Sequence, residues 1–227
     1  MSDIYAAQLN PTKPEAVATF LSARLGTSVS PADVQLVTSF RFDDPAGEVG
    51  CETHVARVDV PGHSELLLQV PLTYRGAPLD GAPEEALVTT MEHSVLGDRW
   101  VYDATHDPIY ATELLLAITD AGGAAEQYRL GSDGSRTQIV DGLASVRGTG
   151  APAAAADAAT GGAAAEDASR NPAVEEAEGR TIVRLRGAAV EVVRVLDASA
   201  VAGTDAGQLI ATWDGQETPV VLARLTS

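Results

Sequence analysis

The chain has 227 residues, a net charge of −17 and one cysteine. So acidic a surface excludes general nucleic-acid binding and disfavours anionic membranes, since both need a basic face. The lone Cys51 excludes an intrachain disulfide and a thiolate zinc cluster.

The start, MSDIYAAQLN, has neither a basic nor an apolar leader region, and no apolar run reaches bilayer length, so a cytoplasmic protein is expected. Thr12-Lys13-Pro14-Glu15 reads as a capping box, with a hydroxyl at N-cap and a carboxylate three residues on. Val17, Phe20, Leu21 and Leu25 then recur at helical spacing until Gly26 stops the helix. Strands are expected over 34–42, 52–60 and 65–74. In the first, Leu36, Thr38, Phe40 and Phe42 share one parity; in the third, Leu66, Leu68, Val70 and Leu72 do. Pro71 implies an edge position or a bulge for that third strand.

Residues 91–110, MEHSVLGDRWVYDATHDPIY, are the densest stretch in side chains that are costly to bury. The expectation is a strand over 88–94, a turn at Gly97-Asp98, and a strand over 99–104 with Trp100 and Tyr102 on one face. Asp107-Pro108 starts a second helix over 108–121, an acceptor at N-cap followed by a fixed φ at N1. Ile109, Leu114, Leu115, Leu116 and Ile118 cover a wide arc, so that helix is expected to be largely buried, ending at Gly122-Gly123.

A further strand is expected over 137–146. Composition then shifts: 149–179 is alanine, glycine, proline and acid without an aromatic residue, and reads as a disordered linker. Strands return over 183–186, 190–196, 208–213 and 219–225, with Asp214-Gly215 as a hairpin turn. The architecture expected is α+β: a curved antiparallel sheet packed on a helix in 1–148, followed by a smaller β-rich unit in 180–227. That unit stands either alone or as the completion of the same domain.

Four constellations offer chemistry. Glu92, His93, Asp103, His106 and Asp107 pair imidazole with carboxylate, the donor set for zinc, iron or manganese, yet their spacing matches no helical H-E-x-x-H pattern. A polar network that ties a strand to the helix start explains the same residues without an ion. Ser94 with His93 or His106 and Asp103 has the composition of a triad but no nucleophile-elbow turn. Trp100, Tyr102, Tyr74 and Tyr110 have the apolar face and polar tip of a sugar-stacking platform, against the simpler fate of core packing. Arg180, Arg184 and Arg186 share a strand parity suited to a phosphate or an acidic partner, against simple pairing with acids at 166–178.

QVPLTYRGAPL at 69–79 and the 91–110 stretch resemble the N-terminal cap domain of actinobacterial maltokinases, and stand-alone cap-like proteins related to it. ATWDGQETPVVLA at 211–223 is similar to the C-terminal part of those stand-alone relatives. The resemblance implies a broadly cystatin-like cap fold. In a full kinase it implies a place ahead of the parts that phosphorylate maltose on the way to α-glucans. This sequence departs from the kinase pattern: its only lysine, Lys13, lies in a helix cap, and no His-x-Asp, Asp-Phe-Gly or Walker signature is present. A non-catalytic module is therefore expected, with no cofactor or metal. Its partner would be a sugar kinase or an enzyme of trehalose or glucan metabolism. The alternatives are a carbohydrate or small-metabolite binder and, last, a metal-dependent enzyme. The surface expected to meet a ligand or partner carries Trp100, Tyr102, His93, His106, Arg184 and Arg186.

Overall fold

The computed structural model describes residues 2–60, 65–131, 133–151, 171–185, 187–200, 202–203 and 205–226. The chain opens with β1 (Ser2–Ile4) and β2 (Leu9–Asn10), then α1 (Lys13–Leu25). Next come β3 (Val34–Phe42), β4 (Val49–Val58), β5 (Leu66–Arg75), β6 (Leu87–His93) and β7 (Gly97–Asp103). A 3-10 turn, Ala104–His106, leads into α2 (Pro108–Thr119), followed by β8 (Gln127–Leu130), β9 (Arg136–Ile139) and β10 (Ser145–Gly148). The last strands are β11 (Ala173–Ala177), β12 (Arg180–Leu185), β13 (Ala188–Val193), β14 (Gln208–Trp213) and β15 (Gln216–Thr226).

The strands form three sheets. A strongly curled antiparallel sheet has the order β2-β6-β7-β5-β4-β3, and a second antiparallel sheet runs β10-β14-β15-β13-β12-β11. A small third sheet, β1-β8-β9, pairs the start of the chain in parallel with β8. The class is α+β, as the sequence pattern indicates.

Alternation along β4 explains how the layers stack. Its even positions, among them Ala56 and Val58, pack with Val17, Phe20 and Leu21 of α1 and with Leu68, Val70 and Leu72 of β5. Its odd positions, Val49, Cys51 and Val55, face a second core made with Tyr110, Leu114 and Ile118 of α2 and with Val183, Val192, Trp213 and Leu222 of the second sheet. Along β4 the curled sheet is therefore packed on both faces, and the core on the α2 side is shared by residues before and after 149–179. Burying Val17, Phe20 and Leu21 on α1 contributes on the order of 1.5–3 kcal/mol each.

Several expectations need correction. β3 carries a bulge between Leu36 and Thr38. The extra residue re-aims the strand, so Leu36 packs on the α1 side whereas Phe40 and Phe42 face the other core. β5, with Pro71, is an interior strand rather than an edge. Its far side is divided: Leu72–Arg75 pair with β7, while Gln69 N donates to Arg194 O at 2.8 Å and Leu67 O accepts from Leu196 N at 2.8 Å. Pro71 shares the pleat parity of 67 and 69 and falls between these two stretches, where no donor is needed.

The β6–β7 turn is made by Ser94–Leu96, ahead of the expected Gly97-Asp98, which open β7 with Gly97 at φ 76°. A left-handed backbone at the residue that leaves the turn favours glycine, which has no Cβ to clash. The strand expected over 137–146 is two strands, β9 and β10, interrupted at 140–144. Leu116 of α2 is exposed. Of the expected disordered stretch 149–179, residues 152–170 lie outside the described residues. Its end is ordered, because β11 finds a full antiparallel partner in β12.

Gly148 is needed where it stands. β10 passes so close to the last turn of α2 that a Cβ there would lie 1.8 Å from Ala117 O.

Candidate functional site: a cleft beside the hairpin tip and a sealed polar joint

The 91–110 stretch does not converge on one point. His93 sits at the hairpin tip, whereas Asp103 ends the seven-residue β7 at its other end and His106 lies just beyond. At about 3.4 Å per residue the two ends are roughly 20 Å apart. Neither the five-residue metal set nor the Ser94 triad is therefore assembled. His93 Nδ1 accepts from Val95 N at 3.2 Å and Leu96 N at 3.0 Å. Ser94 Oγ accepts from Gln8 N at 2.9 Å, and Ser94 N donates to Gln8 O, which pins the N-terminal arm to the tip. Asp107 caps α2 by accepting from Ile109 N and takes a two-pronged ion pair from Arg75 at 2.6 and 2.8 Å. Glu92 is exposed.

Asp103 belongs to a sealed polar joint. Both its oxygens accept from Arg194 Nη2, at 2.8 and 2.7 Å, and Oδ1 also accepts from Thr105 Oγ1 at 2.7 Å. Arg194 further donates from Nε to Thr181 Oγ1 at 2.8 Å, and its guanidinium lies over the Phe20 ring. Arg24 of α1 completes the joint through Glu176 and Thr181. Burial pushes the Asp103 carboxyl up, but the Arg194 charge and the hydrogen bonds from Arg194 and Thr105 outweigh it and hold it below the ordinary carboxylate range. Ligand atoms of Asp103, His106 and Glu176 lie within 4.8 Å of one another. Two of those three groups are already spent on arginines, so the arrangement suits a lock between α1 and the two large sheets.

The aromatic set is dispersed. Tyr110 is in the core, and Tyr102 is buried with its hydroxyl accepting from Leu79 N at 3.1 Å. Trp100 alone lines a shallow hollow of about 410 Å³, with Pro11, Thr90 and Asp98 among its neighbours. Of the three arginines, Arg184 pairs with Glu175 at 3.2 Å and Arg180 with Glu191 at 3.9 Å; Arg186 lies outside the described residues.

Tyr74 opens onto a different feature, a cleft of about 340 Å³ between the N-terminal arm, the hairpin tip and the β3–β4 loop. Ile4, Leu9, Met91 and Leu96 give it apolar walls; Lys13, Arg41, Glu52, His93 and Arg99 give it polar ones. Glu52 is buried at its floor, paired with Lys13 Nζ at 2.8 Å and Arg41 Nη2 at 3.2 Å. Burial pushes that carboxyl up, and the surrounding charges of Arg41, His54 and Lys13 overcome it and keep it well below its usual range. Behind it, burial drives His54 down to about 4 against the pull of Glu52, and its Nε2 lies 3.3 Å from Tyr74 Oη. His54 is therefore neutral at pH 7, and Glu52 has two cationic partners, Lys13 and Arg41. Cys51 faces the other core, where burial raises its thiol far above the range in which a thiolate forms.

Sequence reasoning passed over Lys13, Arg41, Glu52, His54, Arg99 and Arg194. Two signals were present. Glu52 and His54 share the parity of Ala56 and Val58 inside a largely buried strand, and Arg194 is the one charge in the apolar run VVRVL. A charge at a buried position needs a partner.

Among the described residues no helix is long and apolar enough to cross a membrane. No curated protein matches the chain. Residues 25–107, which run from the end of α1 through β3–β7 to the cap of α2, match the family model of the maltokinase N-terminal cap domain, the family that the motifs at 69–79 and 91–110 resemble.

Proposed function

We propose that the chain is a non-catalytic, cap-like module that acts by contact with another protein, in maltose, trehalose or α-glucan metabolism, with a sugar kinase as the first candidate partner. One observation supports this above the others. Within the cap-matching stretch, four side chains with catalytic potential make structural bonds: Asp103 with Arg194, Asp107 with Arg75, His93 Nδ1 with its own turn, and Ser94 with Gln8. Lys13, the only lysine, stands at the start of a helix, whereas a protein-kinase-like site holds its nucleotide lysine on a strand. In this reading the packing of the curled sheet on α1 is cystatin-like, and the segments before and after 149–179 act as one body.

The test has two arms. The purified chain, incubated with ATP and maltose, is expected to transfer no phosphate; turnover above background overturns the reading. Immobilised chain is expected to bind purified maltokinase, or another sugar kinase from the same cell, at micromolar affinity or better. Failure to bind any sugar kinase, or any trehalose or glucan enzyme from that cell, also overturns it.

A further inference from the structure

The cleft beside the hairpin tip holds hydrogen-bond donors that the contact reading does not use. Arg99 donates to Leu96 O at 2.8 Å and weakly to Asp98 O, and among the described residues no carboxylate stands within ion-pair distance of it. Because His93 Nδ1 accepts two turn amides, the neutral ring carries its proton on Nε2, a donor at the same cleft. Lys13 spends one N–H on Glu52 and is 32% exposed, so further ammonium donors remain. Of the two carboxylates that line the cleft, Glu52 is held by Lys13 and Arg41, and Glu48 is exposed. In a chain of net charge −17 the overall field repels anions, so an anion bound here is bound by local geometry.

We propose that this cleft binds a phosphate monoester of a small metabolite. The phosphate oxygens would take hydrogen bonds from Arg99, His93 Nε2 and Lys13, and the body would rest on Ile4, Leu9 and Met91. Three separate donors match the three terminal oxygens of a phosphate better than the two of a carboxylate. A volume of about 340 Å³ lies at the small end of ligand pockets. The N-terminal arm forms one wall and is pinned to the tip through Gln8 and Ser94, so the site is built before the ligand arrives.

The test titrates the full chain at low salt with inorganic phosphate, phenyl phosphate and benzoate, read by calorimetry and by NMR of the His93 imidazole. Phenyl phosphate is expected to saturate and to shift His93, with inorganic phosphate weaker at the same site. Arg99→Gln is expected to weaken phenyl phosphate at least tenfold with the circular dichroism unchanged, and Arg99→Lys to recover part of the loss. The proposal is overturned by any of three results: no saturable binding of either phosphate, benzoate binding as tightly as phenyl phosphate, or unchanged affinity in Arg99→Gln. Should that variant fail to fold, the wild-type map decides, and shifts that spare His93 overturn the site.

Discussion

Among the described residues, the Asp103 and Glu52 ion clusters have similar chemistry and opposite surroundings. At the joint, Arg194 and Asp103 are both sealed, and their hydrogen bonds connect β7 with the second sheet. At the cleft, Glu52 is as deeply buried, but one of its two cations, Lys13, reaches solvent. The difference separates two uses of the same ion pair. A sealed pair gives nothing to a ligand and fixes how layers meet; a pair at the floor of an opening holds its cation where something else can share it.

Breaking the sealed pair should have the largest effect. Arg194→Met leaves the buried Asp103 carboxylate without its hydrogen-bonded cation and with only Arg24 at 4.0 Å, and a loss of about 3–5 kcal/mol is expected in urea unfolding. Arg194→Met combined with Asp103→Leu should recover part of that loss, because the stranded charge is gone. A loss below about 1 kcal/mol for the single variant would show that the joint does not hold the layers.

The elements of the two clusters were legible to different degrees. Helix α1 with its Thr12–Glu15 box, the start of α2 with its Asp107 cap, and the Asp214-Gly215 hairpin all follow from local chemistry, and they stand as the pattern indicates. Pairing across sequence distance was not readable. Asp103 meets Arg194 across 91 positions and Lys13 meets Glu52 across 39, and no local period encodes either. The bulge at 36–38 was hidden for another reason: one extra residue flips a strand's parity without changing its composition. The cleft needs an arm, a helix start and a hairpin tip together, so only its individual side chains were visible, and His93 was noticed as part of a set that the structure does not bring together.

The open cluster should show itself in pH dependence. His54 is neutral in the folded chain down to about 4, whereas unfolded it takes a proton near 6.5. The stability it confers is thus present above pH 6.5 and drains as pH falls toward 4, by about 3 kcal/mol at full effect. Glu52, also depressed, adds a loss of the same sign below its ordinary range. Unfolding measured at pH 7 and pH 4.5 should therefore differ more in the wild type than in His54→Gln, and equal slopes would remove His54 from the account.

Gly148→Ala strains the α2 side of the molecule and leaves the cleft alone. The added Cβ would overlap Ala117 O, so β10 or the last turn of α2 must move, at a cost of about 1–3 kcal/mol. Phenyl phosphate affinity should be unchanged in that variant, and a parallel loss of both would show that the cleft depends on how α2 sits.

The smallest effect is expected at a third ion pair, Arg184 with Glu175, whose side chains are 54% and 68% exposed. Distance alone makes it resemble the others at 3.2 Å. Both partners keep most of their water when they meet, so little is gained by pairing and no charge is stranded when one is removed. Arg184→Ala should shift stability by less than about 0.5 kcal/mol, and that shift should vanish in 0.5 M salt. Because the fold does not need it, a loss of partner binding in this variant would be a contact effect rather than unfolding. A destabilisation approaching that of Arg194→Met would mean that burial is not what separates the clusters, and the contrast between the sealed joint and the open cleft would fail with it.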